Sequence, residues 1–232
     1  MRSAVRFTAF PDRSSASRAA ADLLATSLRD DLGNCGSGSL VLSGGTTPGA
    51  CYELLSRQAL NWERVQVVPS DERWVPADDA NSNERLIRER LLQNAARGAG
   101  LIPLYRPGLE PAQAPAAVEH DLAGLGGPFS GVLLGMGADG HFASLFPDFA
   151  GLPQALDPAA TARCVVVRTA GSLFVRISLT LAALLKARRI ALLFFGADKR
   201  AVFEAAADGD DRFPVAALLA QKTVTVAALW AP

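Results

Sequence analysis

The sequence is poor in the residues from which metal centres and disulfide frameworks are built. It contains two histidines and three cysteines in 232 residues. The cysteines, Cys35, Cys51 and Cys164, are odd in number, widely spaced and without a CxxC pair. This pattern argues against a disulfide framework and a structural zinc site, and it suits a reducing compartment. We therefore expect neither a metal nor a cofactor.

An excess of charge of one sign and a long apolar run are also missing. Basic and acidic residues number 23 each, so the formal net charge is zero. The sequence therefore lacks the excess of positive charge that is typical of proteins that bind nucleic acid or an anionic membrane. The N-terminal stretch lacks the apolar segment of a signal peptide, and KARR interrupts the most apolar region, residues 177–197. We expect a cytoplasmic protein, a monomer or weak homodimer, whose partner is a small molecule.

Half of the residues are hydrophobic, which is enough for the core of a single domain over residues 1–232. Short apolar runs predict strands at AVRF, SLVL, VQVVP, LIPLY, FSGVLLGMG, RCVVVRT, RIALLFFGA and KTVTVAAL. Amphipathic runs between them predict helices, the first ended by Gly33 and the second opened by Thr47 and Pro48. This alternation predicts an α/β fold with an open, mostly parallel sheet and helices on both faces.

Three loops with unusual polar or glycine-rich sequences follow predicted strands. They are LSGGTTPG at residues 42–49, SDERWVPADDANSN at residues 70–83 and GMGADGH at residues 135–141. Ligands of open α/β sheets bind beyond the carboxyl ends of the strands. The three loops can therefore converge on one site.

The first loop has the composition of an anion-binding turn. Gly44 and Gly45 let the backbone approach an anion closely, and Ser43, Thr46 and Thr47 add hydroxyl donors. The loop matches neither the P-loop nor the GxGxxG dinucleotide turn. The alternative is an ordinary tight turn with a threonine cap.

The second loop is too long and too charged for a plain connection. Arg73 can clamp a phosphate or a carboxylate with its forked guanidinium, and Asp71 can orient Arg73 or bind sugar hydroxyls. The alternative is that Asp71, Glu72, Asp78 and Asp79 form a solvated acidic face, with Asn81 or Ser82 capping the next helix. We favour this interpretation for Asp78 and Asp79.

The third loop puts His141 among three glycines, including Gly137. The imidazole is then reachable from the crevice and titrates near neutral pH, as a general base must. Asp139, two residues away, can orient His141 or hold a substrate hydroxyl. The alternative is a structural histidine, which is the role we expect for His120 on its polar helix.

Together the three loops resemble the 6-phosphogluconolactonase family. LSGGTTPG, SDERWVPADDANSN and GMGADGHFASLFP stand in the family's order and at similar separations, and RISLT and FFGADKRAVF resemble two weaker family elements. The resemblance runs from about Leu40 to the C-terminus. The second and third motifs are specific, whereas a lone SGG turn is weak.

The resemblance implies a Rossmann-like fold and a sugar-phosphate substrate. The implied reaction is hydrolysis of 6-phosphoglucono-1,5-lactone to 6-phosphogluconate, the second step of the oxidative pentose phosphate pathway. On this likeness His141 is the general base, the turn at residues 43–47 and Arg73 bind substrate, and Arg176 and Lys199 face the phosphate. Lys199 is one of three lysines in the chain.

Lactone hydrolysis needs little beyond a base and stabilisation of the developing anion. A lactone is an activated ester, so one positioned base with oxyanion donors suffices, without a metal or a covalent nucleophile. His141 takes a proton from the water that attacks C1, and backbone amides around Gly44, Gly45 or Gly137 are candidates for the anion. The GxSxG elbow of a serine hydrolase is missing.

Two alternative functions remain. Glucosamine-6-phosphate deaminases share the GxGxDGH segment but usually continue as AFNEP, with a glutamate that supports the histidine. Here the segment continues as FASLFP, with no carboxylate before Asp148, which favours the lactonase. The other alternative is a non-catalytic sugar-phosphate sensor that kept the fold, and the retention of His141 counts against it.

Overall fold

The computed structural model describes residues 5–232. Its strands, in chain order, are β1 (Val5–Ala9), β2 (Gly38–Leu42), β3 (Val65–Pro69), β4 (Asp71–Arg73), β5 (Gly100–Leu101), β6 (Gly131–Leu134), β7 (Cys164–Val167), β8 (Arg176–Leu179), β9 (Ile190–Phe195) and β10 (Val226–Ala231). Its α-helices are α1 (Arg13–Cys35), α2 (Gly49–Leu55), α3 (Asn83–Arg90), α4 (Ala114–Ala123), α5 (Leu152–Ala155), α6 (Leu181–Leu184), α7 (Ala197–Ala207) and α8 (Val215–Ala220). Ala4, predicted in the first strand, lies outside the described residues.

The predicted Rossmann-like α/β fold is confirmed. Seven strands form a parallel sheet in the order β1-β10-β9-β6-β2-β3-β5. Helices pack against both faces of this sheet. On one face Leu40 and Leu42 belong to the core beneath α1, α2 and α3. On the other face Val41 belongs to the core beneath α4, α6, α7 and α8. Burial on both faces explains why these strands read as continuous apolar runs.

The first helix ends later than predicted. Asp12 caps it by accepting a hydrogen bond from the backbone N–H of Ser15, and the helix continues through Gly33 to Cys35. It ends at Gly36, whose φ of +75° is left-handed. The prediction at Gly33 was wrong because a helix is closed by the glycine that adopts the left-handed conformation, while a helical glycine only lowers its stability.

A second, antiparallel sheet was not predicted. Its order is β4-β8-β7. RCVVVRT forms β7 in this sheet instead of a strand of the parallel one, RISLT contributes β8, and SDER, predicted as a polar loop, contributes β4. Strands β4 and β8 have three or four residues each and carry polar side chains, so the apolar signal of a buried strand is weak in both. The short helices α5 and α8 were also not predicted.

The strand order brings the three loops together. Strands β9, β6, β2 and β3 are consecutive neighbours in the parallel sheet, so the loops after them leave from the same edge. Because β4 follows β3 after a single residue, the antiparallel sheet begins at this edge too. Among the helices of residues 5–232, none has both the length and the apolar character needed to cross a membrane.

Candidate active site

One cavity of about 240 Å³ lies at the carboxyl edge of the parallel sheet. It is lined by Ser43, Gly44, Gly45, Thr46, Thr47, Asp71, Arg73, Asn83, Gly135, Met136, Gly137, His141, Ala143, Arg176 and Lys199. The structure thus brings together every predicted site residue except Asp139, which lines an adjoining cavity that shares Arg176.

His141 and Asp139 form a hydrogen-bonded pair. His141 Nδ1 lies 2.5 Å from Asp139 Oδ1, and the backbone N–H of His141 donates to the same oxygen at 3.2 Å. Partial burial raises the pKa of Asp139, but the hydrogen bonds and charge of His141 outweigh it and leave that pKa below its ordinary value. An ionised Asp139 accepts a hydrogen bond from the Nδ1–H of His141, so Nε2 is the ring nitrogen left for a substrate.

Gly137 leaves the room that this pair occupies. A Cβ at this position would lie 2.2 Å from His141 Nδ1 and 2.5 Å from Asp139 Oδ1. The Gly137 N–H donates to the carbonyl of His141 at 2.9 Å. This amide is therefore engaged with the protein, which leaves Gly44 and Gly45 as the candidates for binding an anion.

The turn after β2 presents free donors. The backbone of Ser43 is held by its N–H bond to the Leu133 carbonyl (3.1 Å) and by the Tyr52 hydroxyl, which donates to the Ser43 carbonyl (2.5 Å). Within residues 5–232 the buried Ser43 Oγ has no hydrogen-bond partner. A buried hydroxyl without a partner is costly unless a water or ligand completes it.

The threonine cap considered for this turn does not form. Helix α2 begins after Pro48, without a side-chain cap. Gly45 has a φ of +85°, the left-handed conformation that glycine adopts without strain. The turn therefore lines the cavity, and its threonine hydroxyls do not cap α2.

Asn83 is a site residue that the sequence argument missed. It is the first residue of α3 and is buried, and its Nδ2 donates to the Asp71 carbonyl at 2.8 Å. Its side chain fills the space beside Gly44, where a Cβ would lie 1.8 Å from Asn83 Oδ1. Ser82 is the helix cap, through its Oγ and the N–H of Arg85. The Ser-Asn pair that ends the second motif, at the predicted start of a helix, is the sequence feature that points to Asn83.

Glu72 is buried, so the alternative of a solvated acidic face does not hold for this residue. Its carboxylate accepts hydrogen bonds from the backbone N–H groups of Asn83 and Glu84, both at 2.7 Å, from that of Arg73 at 2.8 Å and from the Ser82 hydroxyl at 3.1 Å. Burial raises the pKa of Glu72 to about 7, although the three amide donors favour its ionised form. Glu72 thereby ties the first turn of α3 to β4.

The cavity lining carries three cations and one carboxylate. Arg73 Nη1 donates to the Asn81 carbonyl at 2.6 Å, and its buried Nε has no partner within residues 5–232. Burial and the charge of Arg73 lower the pKa of Arg176. Burial also lowers the pKa of Lys199. This excess of positive charge favours an anionic ligand.

Asp71 is also buried, and it faces Arg176. Its Oδ2 lies 3.9 Å from Arg176 Nη1. The prediction that Asp71 orients Arg73 is therefore not matched by a hydrogen bond between the two side chains in the described part of the chain. Both acidic residues at the start of β4 belong to the interior instead of a solvated face.

The remaining candidates lie apart from this cavity. His120 is exposed on α4, and the three cysteines are free, with Cys51 and Cys164 buried. Within residues 5–232, no group of three or more histidine, cysteine or acidic side chains could hold a metal ion.

Comparison with known families matches residues 11–227 to the family described as glucosamine-6-phosphate isomerases/6-phosphogluconolactonase. The chain belongs to this family. It is 39% identical over 226 residues to a 6-phosphogluconolactonase of Mesorhizobium japonicum, a match that covers 97% of this chain and 95% of that protein. It is 41% identical over 194 residues to a 6-phosphogluconolactonase of Pseudomonas aeruginosa, covering 83% and 82%.

A solved member of the glucosamine-6-phosphate isomerase/6-phosphogluconolactonase family has the same fold. The crystal structure of a 6-phosphogluconolactonase from Shewanella baltica superposes with a TM-score of 0.93 at 36% sequence identity. The match covers 98% of each chain.

Proposed function

We propose that this chain is a 6-phosphogluconolactonase, which hydrolyses 6-phospho-D-glucono-1,5-lactone to 6-phosphogluconate in the second step of the oxidative pentose phosphate pathway. The observation that carries the proposal is the His141–Asp139 pair beside a cavity with three cations. The pair supplies an oriented base, and the cations suit a phosphate dianion. The relatives named 6-phosphogluconolactonase support the same reaction.

His141 is the general base in this mechanism. Its Nε2 takes a proton from water as the water oxygen bonds to C1 of the lactone. Asp139 accepts a hydrogen bond from Nδ1–H and stabilises the imidazolium that forms. When the bond between C1 and the ring oxygen breaks, His141 returns the proton to that oxygen. A positioned base of this kind contributes roughly 10²- to 10⁴-fold.

The anion that develops at C1 needs donors at the cavity wall. The N–H groups of Gly44 and Gly45 fill this role, since that of Gly137 is bonded to the His141 carbonyl. The unpartnered Ser43 hydroxyl is a third donor. Preorganised donors stabilise the transition state because they require no reorganisation as the charge forms.

Arg73, Arg176 and Lys199 bind the phosphate end of the substrate. All three line the cavity, against a single acidic lining residue, Asp71. Arg73 retains a buried Nε without a partner in residues 5–232, so a guanidinium N–H remains for an anion. The unphosphorylated lactone is then a poor substrate, because it lacks the group that these cations recognise.

The deaminase alternative is disfavoured by the surroundings of His141. That reaction needs a base for the C2 proton and a relay for ring opening, which the deaminases build with a glutamate beside the histidine. Here the neighbour that packs on the His141 ring is Phe146, with ring centroids 4.3 Å apart. Asp139 is the one carboxylate paired with His141 in the described part of the chain.

An assay with two substrates tests the proposal. Freshly generated 6-phosphogluconolactone should be hydrolysed well above its spontaneous rate, and glucosamine 6-phosphate should release no measurable ammonia. The variant His141→Asn should lose most of the lactonase activity while keeping the wild-type melting temperature, and His120→Ala is its matched control. Enzyme-dependent ammonia and fructose 6-phosphate would favour the deaminase. Binding of 6-phosphogluconate without turnover of either substrate would favour the sensor.

Four sequence predictions about the whole protein stay predictions. They are the single domain over residues 1–232, the monomer or weak homodimer, the cytoplasmic location and the absence of a nucleic-acid partner. The balance of 23 basic and 23 acidic residues continues to support the last of these.

A further inference from the structure

We propose that Asp71 is a positioning residue: together with Ser144 it fixes the strained turn after His141, and it does not bind the substrate. The proposal rests on the lactonase function proposed above. It assigns a role to a buried carboxylate for which the sequence left two alternatives, orienting Arg73 or binding sugar hydroxyls.

The carboxylate of Asp71 is occupied by protein hydroxyls. Asp71 is 5% exposed. Its Oδ1 accepts a hydrogen bond from the Ser70 hydroxyl at 2.9 Å, and its Oδ2 accepts one from the Ser144 hydroxyl at 2.5 Å. These two hydrogen bonds and the guanidinium of Arg176, 3.9 Å away, surround the carboxylate. A sugar hydroxyl would have to compete with these partners.

The turn that Ser144 belongs to is strained. It spans residues 142–145 and is closed by the Leu145 N–H, which donates to the Phe142 carbonyl at 3.0 Å. Ala143 has a φ of +49°, which is left-handed and unfavourable for a residue with a Cβ. Such a conformation persists only where the surroundings impose it.

Ser144 provides the contacts that impose this conformation. Besides the bond from its hydroxyl to Asp71, its backbone N–H donates to Ser178 Oγ at 3.1 Å. Asp71 on β4 and Ser178 on β8 are directly opposite each other in the antiparallel sheet. Their side chains therefore lie on one face, where they hold Ser144 from two sides.

The contacts of Ser144 with Asp71 and Ser178, called the clamp below, link the base to a phosphate-binding cation. Ala143 lines the cavity between His141 and the clamp. The Arg176 guanidinium lies 5.1 Å from the Phe146 ring, which packs on His141, and its Nη1 lies 3.5 Å from Ser144 Oγ. The Asp71–Ser144 contact thereby sets the position of the His141 loop relative to Arg176.

A double-mutant cycle with Asp71→Asn and Ser144→Ala distinguishes positioning from substrate binding. Each single variant should lower kcat at least about tenfold, because misplacement of a base by a fraction of an ångström is costly, with KM changed by less than about twofold. The kcat of the double variant should be no lower than that of the less active single variant, because both substitutions break the same contact. A raised KM in Asp71→Asn with effects that add to those of Ser144→Ala would overturn the proposal.

Relief of the strain provides a second test. Glycine adopts a positive φ without strain, so the turn needs its clamp less when Ala143 is replaced. Ala143→Gly in the Ser144→Ala background should recover at least about a third of the lost kcat if the turn is what the clamp holds. Ser27→Ala is the matched control, because it removes the bond from another buried hydroxyl, to the Leu23 carbonyl, far from the cavity. No recovery of kcat would overturn the proposal.

An activity-independent readout separates this proposal from the proposed function. The chain has two histidines, so the ¹⁵N signals of the His141 ring are readily assigned with His120→Asn. These signals should shift in Ser144→Ala and return in Ser144→Ala with Ala143→Gly, whether or not the lactone is the substrate. Unchanged His141 signals in Ser144→Ala would refute the positioning role. Absence of lactone hydrolysis by the wild type, with the NMR result as expected, would refute only the proposed function.

Discussion

Gly137 has no side chain at the point where the His141 ring and the Asp139 carboxylate come closest to the backbone. A methyl group there would approach both within 2.5 Å, well inside van der Waals contact. The neighbouring glycine, Gly140, adopts a φ of +76° and lies against Phe213. Gly137 therefore leaves space for the His141–Asp139 pair, and Gly140 makes the turn.

Gly137→Ala should reduce kcat about 100-fold or more, because the added methyl must push His141 or Asp139 out of place. Gly33→Ala is the matched control, since its Cβ would meet nothing within 4 Å on α1 and the change should leave kcat as it is. Steady-state kinetics with the phosphorylated lactone measure both. Wild-type kcat in Gly137→Ala would contradict the assignment of the His141–Asp139 pair.

Arg73→Ala and Lys199→Ala should each raise KM by about tenfold or more, with a smaller effect on kcat, because each removes a cation from the proposed phosphate site. Lys222→Ala is the control, because this exposed lysine lies outside the cavity lining. For each variant, the KM for the phosphorylated lactone is compared with the KM for unphosphorylated gluconolactone. If either variant had the wild-type KM for the phosphorylated lactone, that residue would not bind the phosphate.

At the level of elements, the site depends on the contact between β4 and the first turn of α3. The end of a helix leaves backbone N–H groups without intrahelical partners, and Glu72 accepts two of them, from Asn83 and Glu84. Because of this contact, α3 positions Asn83 beside Gly44. The carboxyl group that holds the helix in place is itself buried, and burial makes its ionised form costly.

The pKa of Glu72, raised to about 7, predicts the sign of a pH effect on stability. Between about pH 4.5 and pH 7 the unfolded state has lost this proton and the folded state keeps it. The contribution of Glu72 to stability therefore falls as the pH rises, by up to about 1.4 kcal/mol per pH unit. Glu72→Gln lacks this titration, so the stability of the wild type relative to the variant should fall across that range.

Urea unfolding of wild type and Glu72→Gln at several pH values between 5 and 8 measures this difference. Glu89→Gln is the control, because Glu89 is an exposed residue of the same helix. A difference between wild type and Glu72→Gln that is constant with pH would mean that Glu72 keeps an ordinary pKa in the fold.

At the scale of the whole molecule, the parallel sheet gathers loops from distant parts of the chain into one cavity. Strands β9, β6, β2 and β3 are neighbours, although β4, β5, β7 and β8 intervene in sequence. The resulting site has cations, backbone amides and a histidine–carboxylate pair. These groups suffice for lactone hydrolysis, since the electrophilic carbonyl is already present in the substrate.

Activity should therefore survive exhaustive chelation. The reason is that the His141 base and the donors of the cavity supply the chemistry without a Lewis acid. The measurement is the lactonase rate before and after treatment with a chelator, followed by addition of Mg²⁺ or Zn²⁺. A loss of activity that a divalent metal restores would identify carboxylates such as Asp71 or Asp139 as metal ligands.

Local patterns were enough to predict the fold class and most of the cavity lining. The alternation of apolar and amphipathic runs reflects burial of each strand and helix, so it predicts an α/β sheet from single segments. Parallel strands that are neighbours present their loops at one edge, so the sequence predicts that Ser43, Arg73 and His141 share a site, and all three line the cavity. The glycines around His141 were likewise visible in the sequence.

Only the tertiary structure decided which polar groups are free and which are engaged. The SDER segment, predicted as a polar loop, forms a strand of the antiparallel sheet in which Asp71 and Glu72 are buried. Glu72 anchors α3 because this helix packs on β4. Asn83 reached Gly44, and the Gly137 amide was taken by the His141 carbonyl. Hydrogen-bond partners such as these lie far apart in sequence or depend on the conformation of a turn. Their pairing is set by packing between elements, which no local pattern contains.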